Sequence, residues 1–222
     1  MLSRAKNISV NEMNRVICET LAASKSPSIM LTGGKTAGLL YQSWSNSPDM
    51  LKSLCRCSFF FGDERCVPPQ HPGSNYGLAA QYLGLKISNF LENAHRIKAE
   101  ASDINAVADM YALNLPPEID VLLLSLGLDG HIASLFPFST ALHEVNKLLV
   151  PVIGPISPYK RITITPPVIS RAKVVFVLAL GNEKLNLYRR ALINPGDIDS
   201  IPARLVLNEN WIFGGLNVLD AA

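Results

Sequence analysis

The five residues Gly127-Leu128-Asp129-Gly130-His131 place a carboxylate two positions before an imidazole, directly after the apolar run 119–126. An ordinary imidazole titrates near ~6.5 and accepts a proton close to neutral pH, and a neighbouring carboxylate can orient it. Three other glycine-containing polar segments also follow apolar runs: Thr32-Gly33-Gly34-Lys35-Thr36, Gly62-Asp63-Glu64-Arg65 and Gly181-Asn182-Glu183-Lys184. They supply the cations Lys35, Arg65 and Lys184 and the acids Asp63 and Glu64. Cations beside glycine-rich turns and helix starts suit a phosphate, which backbone N–H groups and the helix dipole also favour. Taken singly, the first two segments read equally well as solvated turns. Thr32 to Thr36 is not a P-loop, because Ile29 stands where that motif needs glycine, and Lys35 breaks the dinucleotide fingerprint G-x-G-x-x-G.

The elements that must position these groups alternate between two periods. Residues 8–21 carry Val10, Met13, Val16, Ile17 and Leu21 at helical spacing. Residues 28–31 and 58–61 read as short buried strands, and 119–126 as the strongest one. Helices are expected through Tyr41 and over 74–83 and 102–113, the last two opened by a serine cap. Residues 161–165 alternate polar and apolar like a half-buried strand, and 173–180 form another buried strand before a helix through Leu192. Continuous apolar strands separated by helices predict an α/β fold, an open doubly wound, mostly parallel sheet with helices on both faces. The carboxyl ends of such strands share one edge, where ligands bind, so the four segments would converge on one crevice. The N-terminal region looks short of a leading strand. Residues 1–222 read as a single domain, with no repeat and no long linker.

Composition narrows the classes of function. The chain has 222 residues, 20 Lys+Arg against 18 Asp+Glu, and a net charge of +2. Its 48% apolar content excludes disorder, and a charge this small offers no broad basic face for nucleic acid. The longest apolar runs, 121–124 and 174–180, fall far short of the ~20 residues that span a bilayer. The opening residues 1–7 lack the apolar stretch of a secretory signal, and residues 219–222 are not a peroxisomal address. Cys18, Cys55, Cys57 and Cys66 are too few for a disulfide scaffold and lack zinc-ribbon spacing, so free thiols and a cytoplasmic location are expected. His71, His95 and His143 show no metal-ligand spacing and read as surface or loop residues. No G-x-S-x-G elbow is present. A water-activating site with no metal and no cofactor fits best.

In order along the chain these segments resemble the 6-phosphogluconolactonase family, within the superfamily that includes glucosamine-6-phosphate deaminase. Thr32-Gly33-Gly34-Lys35-Thr36-Ala37 is similar to the family's first motif, with Ala37 in place of the usual proline. Asp63-Glu64-Arg65-Cys66-Val67-Pro68 with Ser74-Asn75-Tyr76 matches the second, and Gly127 through Pro137 matches G-x-D-G-H-x-A-S-L-F-P in full. Arg161 to Thr165, Gly181 to Lys184 and Pro202-Ala203 match later signatures, so the resemblance covers most of the chain.

The resemblance implies hydrolysis of the δ-lactone of 6-phosphogluconate, in the oxidative pentose phosphate pathway. His131 would take a proton from the attacking water, Asp129 would orient the ring, and Arg65 would stabilise the carbonyl oxygen. Gly34, Lys35, Thr36, Arg161 and Lys184 would hold the phosphate, with Asp63 and Glu64 also at the substrate. The expected partner is a small sugar-phosphate lactone, with no nucleic acid and no membrane, on a monomer or weak homodimer. Two alternatives stay open. A glucosamine-6-phosphate deaminase would need a glutamate soon after the D-G-H-I-A stretch, where Ser134-Leu135-Phe136-Pro137 brings no acid before Glu144. A non-catalytic sugar-phosphate sensor would share the fold.

Overall fold

The computed structural model describes residues 6–214. Residues 1–5 and 219–222, considered above for targeting, lie outside the described residues. The first half of the chain runs β1 (Lys6–Asn7), α1 (Val10–Ala23), β2 (Ser28–Leu31), α2 (Lys35–Ser45), α3 (Pro48–Leu54), β3 (Ser58–Phe61), β4 (Asp63–Arg65) and α4 (Asn75–Leu83). It continues through α5 (Phe90–Asn93), α6 (Ile104–Asn114) and β5 (Ile119–Ser125) to a 3-10 turn (Thr140–His143). The remainder is β6 (Leu149–Ile153), β7 (Lys160–Ile164), α7 (Pro166–Ile169), β8 (Ala172–Leu178), α8 (Asn182–Ala191), a 3-10 turn (Pro202–Val206) and β9 (Asn210–Ile212).

Six strands pair in the order β1-β9-β8-β5-β2-β3, every neighbour parallel. All four residues of β2 and six of the seven in β5 are buried, as a sheet covered by helices on both faces requires. From β2 the chain moves outward to β3 and then returns to the other side of β2 as β5, so the strand order reverses between β2 and β5. Ligands bind at the carboxyl ends beside such a switch point. The expected lack of a leading strand is corrected: Lys6 and Asn7 pair with Asn210 and Trp211, and two residues suffice to extend the edge.

A second, antiparallel sheet, β4-β7-β6, stands beside the first. β4 begins two residues after β3 ends, turning the chain at Gly62 from the parallel sheet into the antiparallel one. The alternation read over 161–165 predicts a half-buried strand, but Arg161, Ile162, Thr163 and Ile164 are all buried. β7 is the central strand of this sheet, and its threonines bury because their hydroxyls find partners. Thr163 Oγ1 donates to Ile164 O and accepts from Ser134 N, and Thr165 Oγ1 donates to Lys147 O. The serine expected to open the helix over 102–113 is replaced in that role by Asp103, whose carboxylate accepts from Asn105 N and Ala106 N. All four cysteines are free.

Two tyrosines fix the strand ends that face the switch point. Tyr41 Oη accepts from Thr32 N at 3.0 Å and donates to Thr32 O at 2.7 Å, just past β2. Tyr111 Oη accepts from Phe61 N at 2.8 Å, at the last residue of β3. Both rings are buried, and burial raises both phenol pKa values, which keeps the hydroxyls neutral as paired donors and acceptors.

Candidate active site

A cavity of about 170 Å³ opens at the switch point, lined by Thr32, Gly33, Gly34, Lys35, Thr36, Asp63, Arg65, Asn75, Ser125, Leu126, Gly127, His131, Ala133, Arg161 and Lys184. All four glycine-bearing segments therefore converge as expected. A larger groove of about 870 Å³ between α1 and α3 receives none of them, and its Arg15 is already paired with Glu19.

The imidazole is held from one edge. His131 Nδ1 lies 2.5 Å from Asp129 Oδ1, which also accepts the His131 backbone N–H at 3.1 Å. Burial opposes the Asp129 charge, but the bonds to His131 and the field of that ring outweigh it and hold the carboxyl below its usual range. An ionised Asp129 can only accept, so Nδ1 carries a proton, and in the neutral ring Nε2 is the acceptor. Gly127 permits the arrangement, because a Cβ there would lie 2.1 Å from His131 Nδ1. The next turn is strained: Ala133, on the cavity wall, holds φ 49.

The cations Lys35, Arg65, Arg161 and Lys184 line one cavity. β4 and β7 pair with Arg65 directly opposite Arg161, a like-charge juxtaposition that works against folding. Arg65 donates to Gly73 O at 2.6 Å, and Arg161 donates to Pro158 O and Ile156 O, each at 3.2 Å. Among the described residues neither is in an ion pair. Burial, and then the Arg65 charge, draws the Arg161 guanidinium below its ordinary value. Lys184 is likewise lowered by burial.

Two helix starts add to this field. α1, α3, α4 and α6 each begin with a side-chain cap; α2 and α8 have none, nor do the one-turn helices α5 and α7. The cap positions of α2 and α8 are Gly34 (φ 93, ψ 172) and Gly181 (φ 97, ψ 159), the same left-handed conformation at both. A Cβ at either would meet nothing within 4 Å, so conformation rather than crowding calls for glycine. The first N–H groups of both helices remain available to an anion.

The remaining acids are engaged elsewhere. Asp63 reaches the cavity wall, but its carboxylate accepts from Ser134 Oγ at 2.6 Å and Asn75 Nδ2 at 2.9 Å. Glu64 does not line the cavity. It takes the backbone N–H groups of Arg65, Asn75 and Tyr76 and the Ser74 hydroxyl, all within 3.0 Å, tying β4 to the start of α4. Burial raises its pKa despite those three N–H bonds. Sequence reasoning missed Ser125, whose hydroxyl donates to Gly33 O at 2.9 Å and links the loops after β2 and β5. It also passed over Asn75 as a wall residue, although the S-N-Y motif contained it. His71, His95 and His143 stay outside the cavity, bonded to Gly73 N, stacked on Phe60 and paired with Asp199 respectively.

The pattern that defines the glucosamine-6-phosphate isomerase/6-phosphogluconolactonase family matches residues 5–213. The chain belongs to this family. Among relatives of the family, the 6-phosphogluconolactonase of Streptomyces coelicolor is 33% identical over 202 residues, covering 83% of this chain and 77% of that protein. The Haemophilus influenzae 6-phosphogluconolactonase is 32% identical over 189 residues, covering 83% and 81%. Solved family structures agree in fold: 6-phosphogluconolactonase from Shewanella baltica superposes with TM-score 0.79 at 26% identity, covering 96% of this chain and 97% of that one. The Trypanosoma brucei enzyme gives TM-score 0.76 at 27% identity, covering 95% and 96%.

Proposed function

We propose that this chain hydrolyses the δ-lactone of 6-phosphogluconate, with residues 1–222 acting as one domain. The observation that carries the reading is an Asp129-bonded imidazole lining a cavity whose cations, among the described residues, are in no ion pair. The phosphate binds among Gly34, Lys35, Thr36, Arg161 and Lys184, where unpaired cations and two uncapped helix starts favour a dianion. Holding that remote group places the lactone carbonyl near His131.

His131 Nε2 takes a proton from water as the water oxygen bonds to the carbonyl carbon, and the carbonyl electron pair moves onto its oxygen. Arg65, fixed by Gly73 O, faces the resulting oxyanion. The tetrahedral adduct collapses, the bond to the ring oxygen breaks, and that oxygen receives the proton from His131. Asp129 stays ionised and stabilises the imidazolium between the two transfers. Asp63 acts from the wall, holding Ser134 and Asn75, and Glu64 acts by fixing the loop that carries Arg65. For the isomerase–deaminase alternative the first available acid is Glu144. That residue is half-buried, outside the cavity, and one of its oxygens accepts the N–H groups of Asn146 and Lys147.

The test is turnover of freshly generated 6-phosphogluconolactone, corrected for spontaneous hydrolysis and compared with unphosphorylated gluconolactone. The reading expects catalysis with a strong preference for the phosphorylated lactone. Equal rates for the two would remove the phosphate assignment, and no rate above background would remove the enzyme reading.

A further inference from the structure

The segment carrying His131 continues to Phe136, and that ring is buried between the two ends of the site. Its centroid stands 4.8 Å from the imidazole centroid at an interplanar angle of 51°. The Arg161 guanidinium lies over the same ring, 5.3 Å from its centroid. Phe136 is 6% exposed and is absent from the cavity wall, so it touches the two groups from behind. We propose that Phe136 is a positioning residue that sets the His131 ring and the Arg161 guanidinium relative to each other. The proposal rests on the lactonase reading above.

Each partner is incompletely held without this ring. The bond from Nδ1 to Asp129 secures one edge of the imidazole and leaves rotation about that bond. A ring packed at this tilt against the imidazole restricts that rotation. Among the described residues Arg161 has two 3.2 Å bonds to carbonyls and no ion pair, while Arg65 stands opposite and repels it. The negative face of an aromatic ring attracts such a cation, and more strongly where water is excluded.

Phe136 itself has little freedom. Ser134, two residues before it, is anchored to Asp63 and Thr163, and Leu135 N donates to Ile132 O at 2.9 Å. On the other side a Cβ at Gly154 would lie 2.9 Å from Arg161 Nε and 3.1 Å from Phe136 Cζ. The absence of a side chain at Gly154 is what admits the ring and the guanidinium together.

Two replacements at one position separate shape from charge. Phe136→Leu removes the flat face, so kcat should fall about tenfold and KM rise about fivefold. Incorporation of 3,5-difluorophenylalanine at position 136 keeps the shape and weakens the negative face. It should leave kcat within about twofold and raise KM about two- to threefold. A residue that only fills space would lower the melting temperature of the leucine variant without this split, and the fluorinated ring would move neither constant. The imidazole Nδ1 proton resonance, read by NMR, gives a measure independent of turnover. It should be sharp in the native and fluorinated proteins and broadened by ring motion in Phe136→Leu. An unchanged resonance together with unchanged constants overturns the proposal. Absence of turnover in the native protein overturns the lactonase reading instead, and the resonance alone then decides whether Phe136 holds the ring.

Discussion

The two walls of the cavity are built on opposite principles. The wall formed by β4, the start of α4 and Ser134 is a polar network closed around its carboxylates, with Arg65 Nε and Asn75 Oδ1 its two buried atoms without a partner. Asp63 and Glu64 are 4% and 3% exposed, and every carboxylate oxygen accepts at least one hydrogen bond from the protein. The facing wall, with His131, Arg161, Lys184 and the starts of α2 and α8, leaves its groups unspent. Like charges face each other across β4 and β7, α2 and α8 start without a side-chain cap, and among the described residues His131 Nε2 has no hydrogen-bond partner. Satisfied buried groups hold a shape, whereas unsatisfied ones at a cavity mark where a ligand completes the structure. Carboxylates adjacent in sequence to chemistry are therefore not all catalytic, and here bonding rather than proximity separates them.

The contrast breaks first at Glu64. Glu64→Ala orphans four donors under α4, and stability should fall by about 3 kcal/mol or more. Chemical denaturation checks this, and at a temperature where the variant is folded its kcat should stay within severalfold of native. A variant as stable as native but inactive would move Glu64 to the chemical wall. A smaller effect of the opposite kind is expected at Arg161. Arg161→Met keeps the buried stem and removes a charge-assisted contact, so affinity for 6-phosphogluconate should fall by about 1.5–3 kcal/mol, or about 10- to 150-fold. Stability should change by less than about 1 kcal/mol, because the repulsion with Arg65 goes with the charge. Calorimetric titration and thermal melting of one preparation give both numbers.

The smallest effect concerns Lys184. Burial lowers its pKa, so the ammonium loses its proton at a lower pH than an ordinary lysine. The charged form binds the dianion, and 6-phosphogluconate affinity should therefore decline severalfold as pH rises through that lowered value. Lys184→Arg keeps its charge there and should flatten the decline. The same decline in both proteins would assign it to another group.

What the sequence disclosed and what it withheld follow the range of the interactions involved. The buried parallel strands were legible because β2, β3 and β5 are short, largely apolar runs, each followed within two residues by glycine. The converging segments were legible because parallel strands present their carboxyl ends on one edge. The second sheet was not. β4 is three residues of Asp-Glu-Arg, and β6 carries Pro151 in mid-strand, so neither shows apolar periodicity and both depend on β7 for pairing. Hidden for the same reason were the positions directly opposite across β4 and β7, which turned Arg65 and Arg161 into a facing pair. By residue type alone Asp63 and Glu64 fit substrate groups. Only the fold shows that Ser134, 71 residues later, and the start of α4 occupy them. Tyr111 holds Phe61 across 50 residues and left no local signal at all.

The central claim is that chemistry sits on the unsatisfied wall, at His131. The direct measurement is kcat, product affinity and melting temperature on a single preparation of His131→Ala. Loss of a general base should lower kcat by about 10²–10⁴-fold. Affinity for 6-phosphogluconate and the melting temperature should stay near native, since the phosphate contacts and the buried network are intact. A folded His131→Ala protein that turns over the lactone at a near-native rate would contradict the account and leave the imidazole as scaffolding.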